Sequence, residues 1–538
     1  MKSPRRLVIS VLFLFIISAS LSAQNINGAY YGIVQWYLND SLLHFAAPQG
    51  AIRSMHFLDV SGRHGKWEAA FKAQYYLPGA LIGYDPRWHG AFTTGYLQYT
   101  GERWQVRGGH IYEQFGSGMV LRLWNDVHLG IDNGMRGLNV QYTGPGNWHL
   151  KAVSGNPRVG MAYDDVWIGG ADIQYDRSLP NGYWQTGFSA VTRYYTPENE
   201  GLPARVDLYG LRTSLSLGRW DLAFEYDYKT PDAILTHGII DDRVLFDGDA
   251  YTFQLGYARK GMAWHLTARR LENIRLYVRR ALEGNPYNSG LVNFVPVLVK
   301  QHDYPLATIY VYGGRQGISR DDQTVGEIGG QADWIFKIPR RTLLGGRYGT
   351  VVSFNMARWH ALDATFIPAL GVYRRPFWGA GPLYYSDINL EIKRKISKNL
   401  KAQLLVMHQI YNQKLLEGHG EEVRALTFTG DFDWRLGGGR SLRLEAGHLF
   451  TRQDKRNWAE AGLEYAFNEQ WSFFANDMYN YGSTGIHYYN AGLVYTRQGN
   501  RIQLAYGRQR GGLVCTGGVC RYMPPSKGWQ LSVSLSLL

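Results

Sequence analysis

Cysteine is nearly absent. The 538 residues hold two, Cys515 and Cys520, which excludes a disulfide-dense secreted scaffold and a multi-cysteine metal domain. Charge is scarce too: Asp, Glu, Lys and Arg make up 19% of the chain, low for a large soluble protein. Beyond residue 24 no run of eighteen apolar residues occurs, so no transmembrane helix is expected. Catalytic signatures are missing as well. There is no H-E-x-x-H and no nucleophile motif. Asp241, Asp242 and Asp247 cluster in one expected loop and Glu421 and Glu422 in another, while His89, His302, His360, His419 and His487 are scattered. No catalytic residue, no metal and no cofactor is expected, and an enzyme is not the expected reading.

What is present points to an envelope. The N-terminus MKSPRRLVISVLFLFIISASLSAQ has a basic start (Lys2, Arg5, Arg6), an apolar stretch from Leu7 to Ile17 and small residues near Ser22 and Ala23. That is the pattern of a signal peptide, 1–23, too short to span a bilayer. Removing it lowers the net charge from +13 to +10. For an envelope protein this surplus suggests lipid headgroups and lipopolysaccharide as partners, with no nucleic acid. Aromatic residues reach 14%, with 38 Tyr and 17 Trp beside 64 Gly, a composition of strands, turns and membrane interfaces.

The apolar residues alternate. From Trp220 to Tyr228, one face carries Trp220, Leu222, Phe224, Tyr226 and Tyr228, the other Asp221, Glu225 and Asp227. Lys66–Tyr75, Leu426–Arg435, Leu442–Phe450 and Trp529–Leu537 behave alike. A half-buried strand of a soluble sandwich is usually shorter; period two over nine or ten residues is enough to cross a bilayer at a tilt. About 24 such segments can be placed, within a range of 22 to 26. They predict an all-β fold: one transmembrane antiparallel up-and-down barrel over 24–538, without a separate plug domain. The connections alternate in length. Tight ones (GRHG, TGER, GPGN, LGR, RKG, LGGG, FNEQ, RQG) follow even strands, and longer ones, including 229–249 and 361–382, follow odd strands. Short periplasmic turns and long extracellular loops would explain this and put both termini in the periplasm of an outer-membrane protein. Trp67, Trp104, Trp148, Trp184, Trp220, Trp264 and Trp471 each follow a tight turn closely, so they are expected to form a periplasmic-side aromatic girdle.

Three loops carry candidate function. Loop 272–323, entered through Arg269 and Arg270, adds Arg275, Arg279 and Arg280. These arginines could line an anion-selecting constriction, or form a rim for lipopolysaccharide. Its Thr308–Tyr312 stretch is strand-like, which would raise the strand number to about 26. Loop 113–134 is too apolar for an exposed loop, with Met119, Leu121, Leu123 and Trp124; it would plug the lumen or contact a partner. Cys515 and Cys520 suit a disulfide pinning the last long loop, since a metal site would want further Cys or His nearby.

The stretches GHIYEQFGSGMVLR, GIDNGMRG, VNFVPVLVKQHDYPLATIY, LGGRYGT with FNMARWH, and CTGGVCRYMPPSKG resemble an uncharacterised outer-membrane barrel family of Bacteroidota-type Gram-negative bacteria. The resemblance runs from about residue 109 to the end. It implies location and fold, and no site residues. A barrel this wide would breach the membrane if left open, so something must fill it. The expected function is a porin-like channel or transport barrel filled by its own loops. The alternative is a subunit of a larger secretion, assembly or surface-export complex, with a lipoprotein or second barrel as partner. A surface adhesin is a third possibility.

Overall fold

A computed structural model of the chain describes residues 25–197, 199–236, 239–280 and 290–537. The expected signal peptide, 1–23, lies outside them, as does the 281–289 part of the long loop. The main sheet has 25 members, one of which is the two-residue spur Ala162–Tyr163. The other 24 form a closed antiparallel barrel. Each strand pairs with its neighbours in chain order, and the first, Asn25–Tyr37, pairs with the last, Ser526–Ser536, through Tyr31↔Ser534 and Trp36↔Trp529. Closure removes the open edge that a flat sheet of this size would expose.

Alternation decides which side chains face where. Phe188, Leu211, Phe224, Leu266, Met356, Ile388, Leu404, Phe428, Leu493 and Leu531 remain exposed although they lie mid-strand. Their strand neighbours on the opposite face, such as Ser189, Asp227, Asn355, Asp387 and Thr427, are buried. The polarity is inverted relative to a soluble protein: apolar outside, polar inside. No helix among the described residues is long and apolar enough to cross a membrane; the strands carry that face.

The barrel has two unlike rims. At one, most connections run two to four residues, as at 65–66, 180–181, 218–219 and 260–261. At the other lie the long connections, including 112–134, 273–326 and 510–525. All seven tryptophans singled out above sit at the short-turn rim. Trp67, Trp104, Trp148, Trp220 and Trp471 each face a tyrosine of the neighbouring strand in register, with ring centroids 4.2–5.1 Å apart. Trp264 lies between Tyr257 and Trp334, and Trp184 contacts Tyr175 at 5.9 Å.

Two expectations need correction. Segment 229–249 is no loop: strands Trp220–Thr236 and Ile239–Arg259 run on through it as a protruding hairpin, with register shifts between Lys229 and Ile234. Pro231, which has no N–H to give, sits in the irregular stretch and explains why the segment reads as a break. Thr308–Tyr312 is not a strand. It follows a 3-10 turn, Pro305–Thr308, and its tyrosines are buried. Lacking a neighbour with a free edge, it makes no ladder, and the strand number stays at 24.

Candidate functional site

The interior is occupied by the chain's own loops. Loop 112–134 folds into two small hairpins, Glu113–Phe115 with Leu121–Leu123 and Asn125–Asp126 with Ile131–Asp132. Its Met119, Val120, Leu121 and Leu123 are buried with Val153, Val191, Leu208 and Ala250 of the wall and with Ile274, Leu276, Val292 and Val295 of loop 273–326. Trp124 stays half-buried, and the Arg122 guanidinium lies between it and Phe294, at 3.9 and 4.1 Å from the ring centres. Met119, Leu121 and Leu123 of the segment expected to plug the lumen or contact a partner are thus buried against wall and long loop, while Trp124 keeps part of its surface.

Polar tethers hold these loops at a few points. Glu113 accepts from Lys151 Nζ (2.8 Å), Gln141 (2.6 Å) and Asn139 (3.0 Å) of the wall. Asp132 accepts from Arg158 (2.5 Å), Asn125 (2.8 Å), Tyr112 (3.0 Å) and Gln74 (3.1 Å). Burial pushes the Asp132 carboxyl up, but Arg158 and His110 outweigh it and hold the group below the usual carboxylate range. At the loop tip Ser117 Oγ donates to Glu225 Oε1 (2.6 Å). Asn293 joins the two loops: its amide donates to the Met119 carbonyl (2.8 Å) and the Ile274 carbonyl (3.1 Å), and its oxygen accepts from Leu276 N–H (2.9 Å).

The second half of the long loop lies against an acidic part of the wall. Lys300 pairs with Glu391 (3.3 Å), the Tyr304 hydroxyl donates to Asp431 (3.2 Å), and Leu306 N–H donates to Glu460 (2.9 Å). Tyr312 donates to Glu327 (2.5 Å) and stacks among Trp359, Tyr384 and Tyr385. His302 sits between these tethers. Burial, then the nearby Lys300 charge, push its pKa down to about 4.

The five arginines reach separate partners. Arg269 points inward, to Glu327 at 2.5 Å and the Pro296 carbonyl. Arg270, one residue on, must face the other way; it meets Asp249, Glu272 and the Phe377 carbonyl of loop 363–379. Arg275 donates to Gln316 (2.6 Å), Arg279 to Asp164 (2.9 Å) and Asp165, and Arg280 to Asp232 and Tyr195 (2.7 Å). Arg269, Arg270, Arg279 and Arg280 each meet a carboxylate, while Arg275 meets a neutral amide oxygen. Cys515 and Cys520 are joined in a disulfide across the Gly512–Thr516 and Val519–Met523 hairpin. Val519 of that hairpin is buried with Leu129 and Ile131, so the last long loop also enters the lumen. No group of three or more potential metal ligands occurs among the described residues.

A cavity of about 300 Å³ lies on the short-turn side of the loop tip, lined by Ser117, Gln174, Gln185, Arg212, Glu225 and Gln254 among others. Arg212 is held by Asp172 (2.8 Å) and Ser189 (2.8 Å). Thr252, also in the lining, has a buried hydroxyl without a hydrogen-bond partner among the described residues, and so do both carboxylate oxygens of Asp227, two residues from Glu225. Sequence reasoning placed Glu225 and Asp227 on the wet face of their strand. It missed Ser117, Asn293, Tyr304 and Asp132, whose roles depend on contacts up to 174 residues away in sequence.

No curated protein matches the chain. Among solved structures it is similar to the translocation pore of the P pilus usher PapC, with 12% identity, a TM-score of 0.42, and 95% of this chain and 99% of that one covered. It is also similar to the siderophore receptor PirA of Pseudomonas aeruginosa (10% identity, TM-score 0.43, 96% and 81% covered). A third is the outer membrane protein OpdK of the same organism (10%, 0.36, 96% and 100%). With identities near a tenth and scores below 0.5, this chain's role does not follow from theirs. The family of unknown function DUF6029 matches over residues 4–537, and the chain belongs to that family.

Proposed function

We propose that this chain is an outer-membrane transport barrel, non-enzymatic, closed at rest by its own loops and opened for a small polar solute when the 112–134 loop shifts. One observation carries the reading: the lumen is filled by loops, and the tip of one, Ser117, donates a charge-assisted hydrogen bond to Glu225 of the wall beside a polar cavity, with Lys151 bonded to the Gln114 carbonyl three residues back. The apolar outward face and the Trp–Tyr collar support a membrane setting, because indole and phenol rings favour the headgroup level. The short-turn rim is then periplasmic, together with both ends of the barrel, and the long-loop rim faces outward toward lipopolysaccharide. Anions would meet Arg269, Arg270, Arg279 and Arg280 only after an ion pair opens, so these four act first as latches.

Conductance across a planar bilayer tests the proposal. The wild-type barrel should be closed most of the time. Ser117→Glu, placing a second carboxylate against Glu225, should raise the open fraction about tenfold, the size expected for losing a charge-assisted bond and adding repulsion. A barrel that stays silent in Ser117→Glu and after shortening of 114–122 would overturn the reading.

A further inference from the structure

One connection breaks the rule of its rim. Between strands Glu327–Ile338 and Thr350–Leu362, the short-turn side carries an eleven-residue turn, 339–349, where most of its counterparts have two to four. Its sequence is PRRTLLGGRYG. Leu343 is 95% exposed and Leu344 67%, more than any mid-strand outward residue of the belt. The backbone beneath them is fixed. Thr342 Oγ1 donates to the Pro339 carbonyl (2.9 Å) and accepts from Gly345 N–H (3.0 Å), Arg341 N–H donates to the Gly346 carbonyl (2.7 Å), and Thr350 Oγ1 donates to the Leu344 carbonyl (2.8 Å). The turn holds two leucines out into the surroundings by design of its hydrogen bonds.

Around the leucines the charge has one sign. Arg340, Arg341 and Arg347 are exposed in the turn, Lys398 is exposed in the adjoining turn, 396–399, and Arg394 and Lys395 are exposed at the strand end that leads into it. No Asp or Glu occurs between Asp333 and Asp363, or between Glu391 and Glu417. The two turns form one surface. The Arg394 guanidinium lies against Gly346, where a Cβ would come within 2.3 Å of it, and Lys395 Nζ and Arg347 lie over the Tyr348 ring at 5.1 and 5.6 Å. Trp334 and Phe336, outward on the strand that leads into the turn, set this surface at the level of the collar, since Trp334 is in register with Trp264.

We infer that this turn is an anchor for anionic phospholipid: the leucine pair enters the edge of the hydrocarbon and the arginines and lysines bind the phosphates of the adjoining leaflet. The chemistry is that of an interfacial segment with apolar insertion and a polybasic surround. Position favours lipid over a protein partner, because the patch continues the apolar belt at headgroup depth. The inference rests on the membrane reading above, and the two can fail separately.

The disulfide leaves no free cysteine among the described residues, so Leu343→Cys, at a position that contacts almost nothing, supplies a labelling thiol for an environment-sensitive fluorophore. The full barrel is reconstituted in phosphatidylethanolamine vesicles with and without phosphatidylglycerol. With phosphatidylglycerol, the label's emission should shift to the blue and spin-labelled lipid should quench it several-fold more than an identical label on the 467–470 turn. Arg340→Glu with Arg341→Glu and Arg347→Glu should abolish the difference. A label quenched by aqueous iodide regardless of phosphatidylglycerol overturns the inference, and protection appearing only with native envelope extract would assign the patch to a protein partner and overturn it too. Quenching of the native tryptophans by brominated lipid reports insertion of the barrel itself; without it, both readings fall.

Discussion

Asp132 and Arg158 are almost wholly buried, 2.5 Å apart, in a lumen that water reaches poorly. Such a pair adds little over an apolar replacement of the same size, but losing one member strands the other charge. Asp132→Leu should therefore cost about 3–5 kcal/mol, because Arg158 is left uncompensated and Gln74, Tyr112 and Asn125 lose an acceptor. Adding Arg158→Met should recover most of that loss. Denaturant titration of the barrel in lipid vesicles measures both, and equal destabilisation in the single and double variants would contradict this account. The same scale explains the arginines. Arg269 and Arg270 are adjacent in sequence and lie on opposite faces of the wall, which period two dictates and which a count of cations in a loop ignores.

The loops are elements without ladders of their own, so their stability comes from tethers and a few buried side chains. His302 makes the long loop sensitive to acid. Its pKa in place is about 4, against an ordinary value of 6.5. Above pH 6.5 it is neutral whether the loop is seated or free. As the pH falls from 6.5 toward 4, the freed side chain takes a proton that the seated one refuses, so seating weakens steadily across that window. Lys300, Glu391, Asp303 and Lys393 surround it. Hydrogen exchange of 298–304, corrected for intrinsic rates, should quicken at least tenfold between pH 7 and 4.5 in the wild type and much less in His302→Gln. An equal response in both would show that His302 is not the source of the acid sensitivity.

For the whole molecule, the decisive quantity is which side of the wall meets hydrocarbon. Leu211 faces outward mid-strand, between Phe188 and Tyr226 in register. Leu211→Arg should cost about 2–4 kcal/mol in refolding equilibria into vesicles, the toll for a cation near the bilayer midplane. Ser214→Arg, on the inward face of the same strand beside the cavity, should cost far less. Equal costs would mean that the outer face is not in lipid.

The strands were legible from the sequence because alternation is a local property: each segment carries its own two faces, and the tight turns and the tryptophans beyond them mark one rim without knowledge of any distant contact. The expectation of a filled lumen follows from strand number, one loop too apolar to stand in water and one too long to be a simple turn. The hairpin over 229–249 was hidden by its proline and acidic residues, although Ile239–Phe246 holds enough β-branched and apolar side chains to pair. What only the tertiary structure decided is how the loops seat: Ser117 on Glu225, Asn293 between two loops, Tyr304 on Asp431, Arg279 on Asp164. These partners are brought together by the closure of the barrel, and no period in the sequence encodes a contact between residues that meet only once the ring is shut.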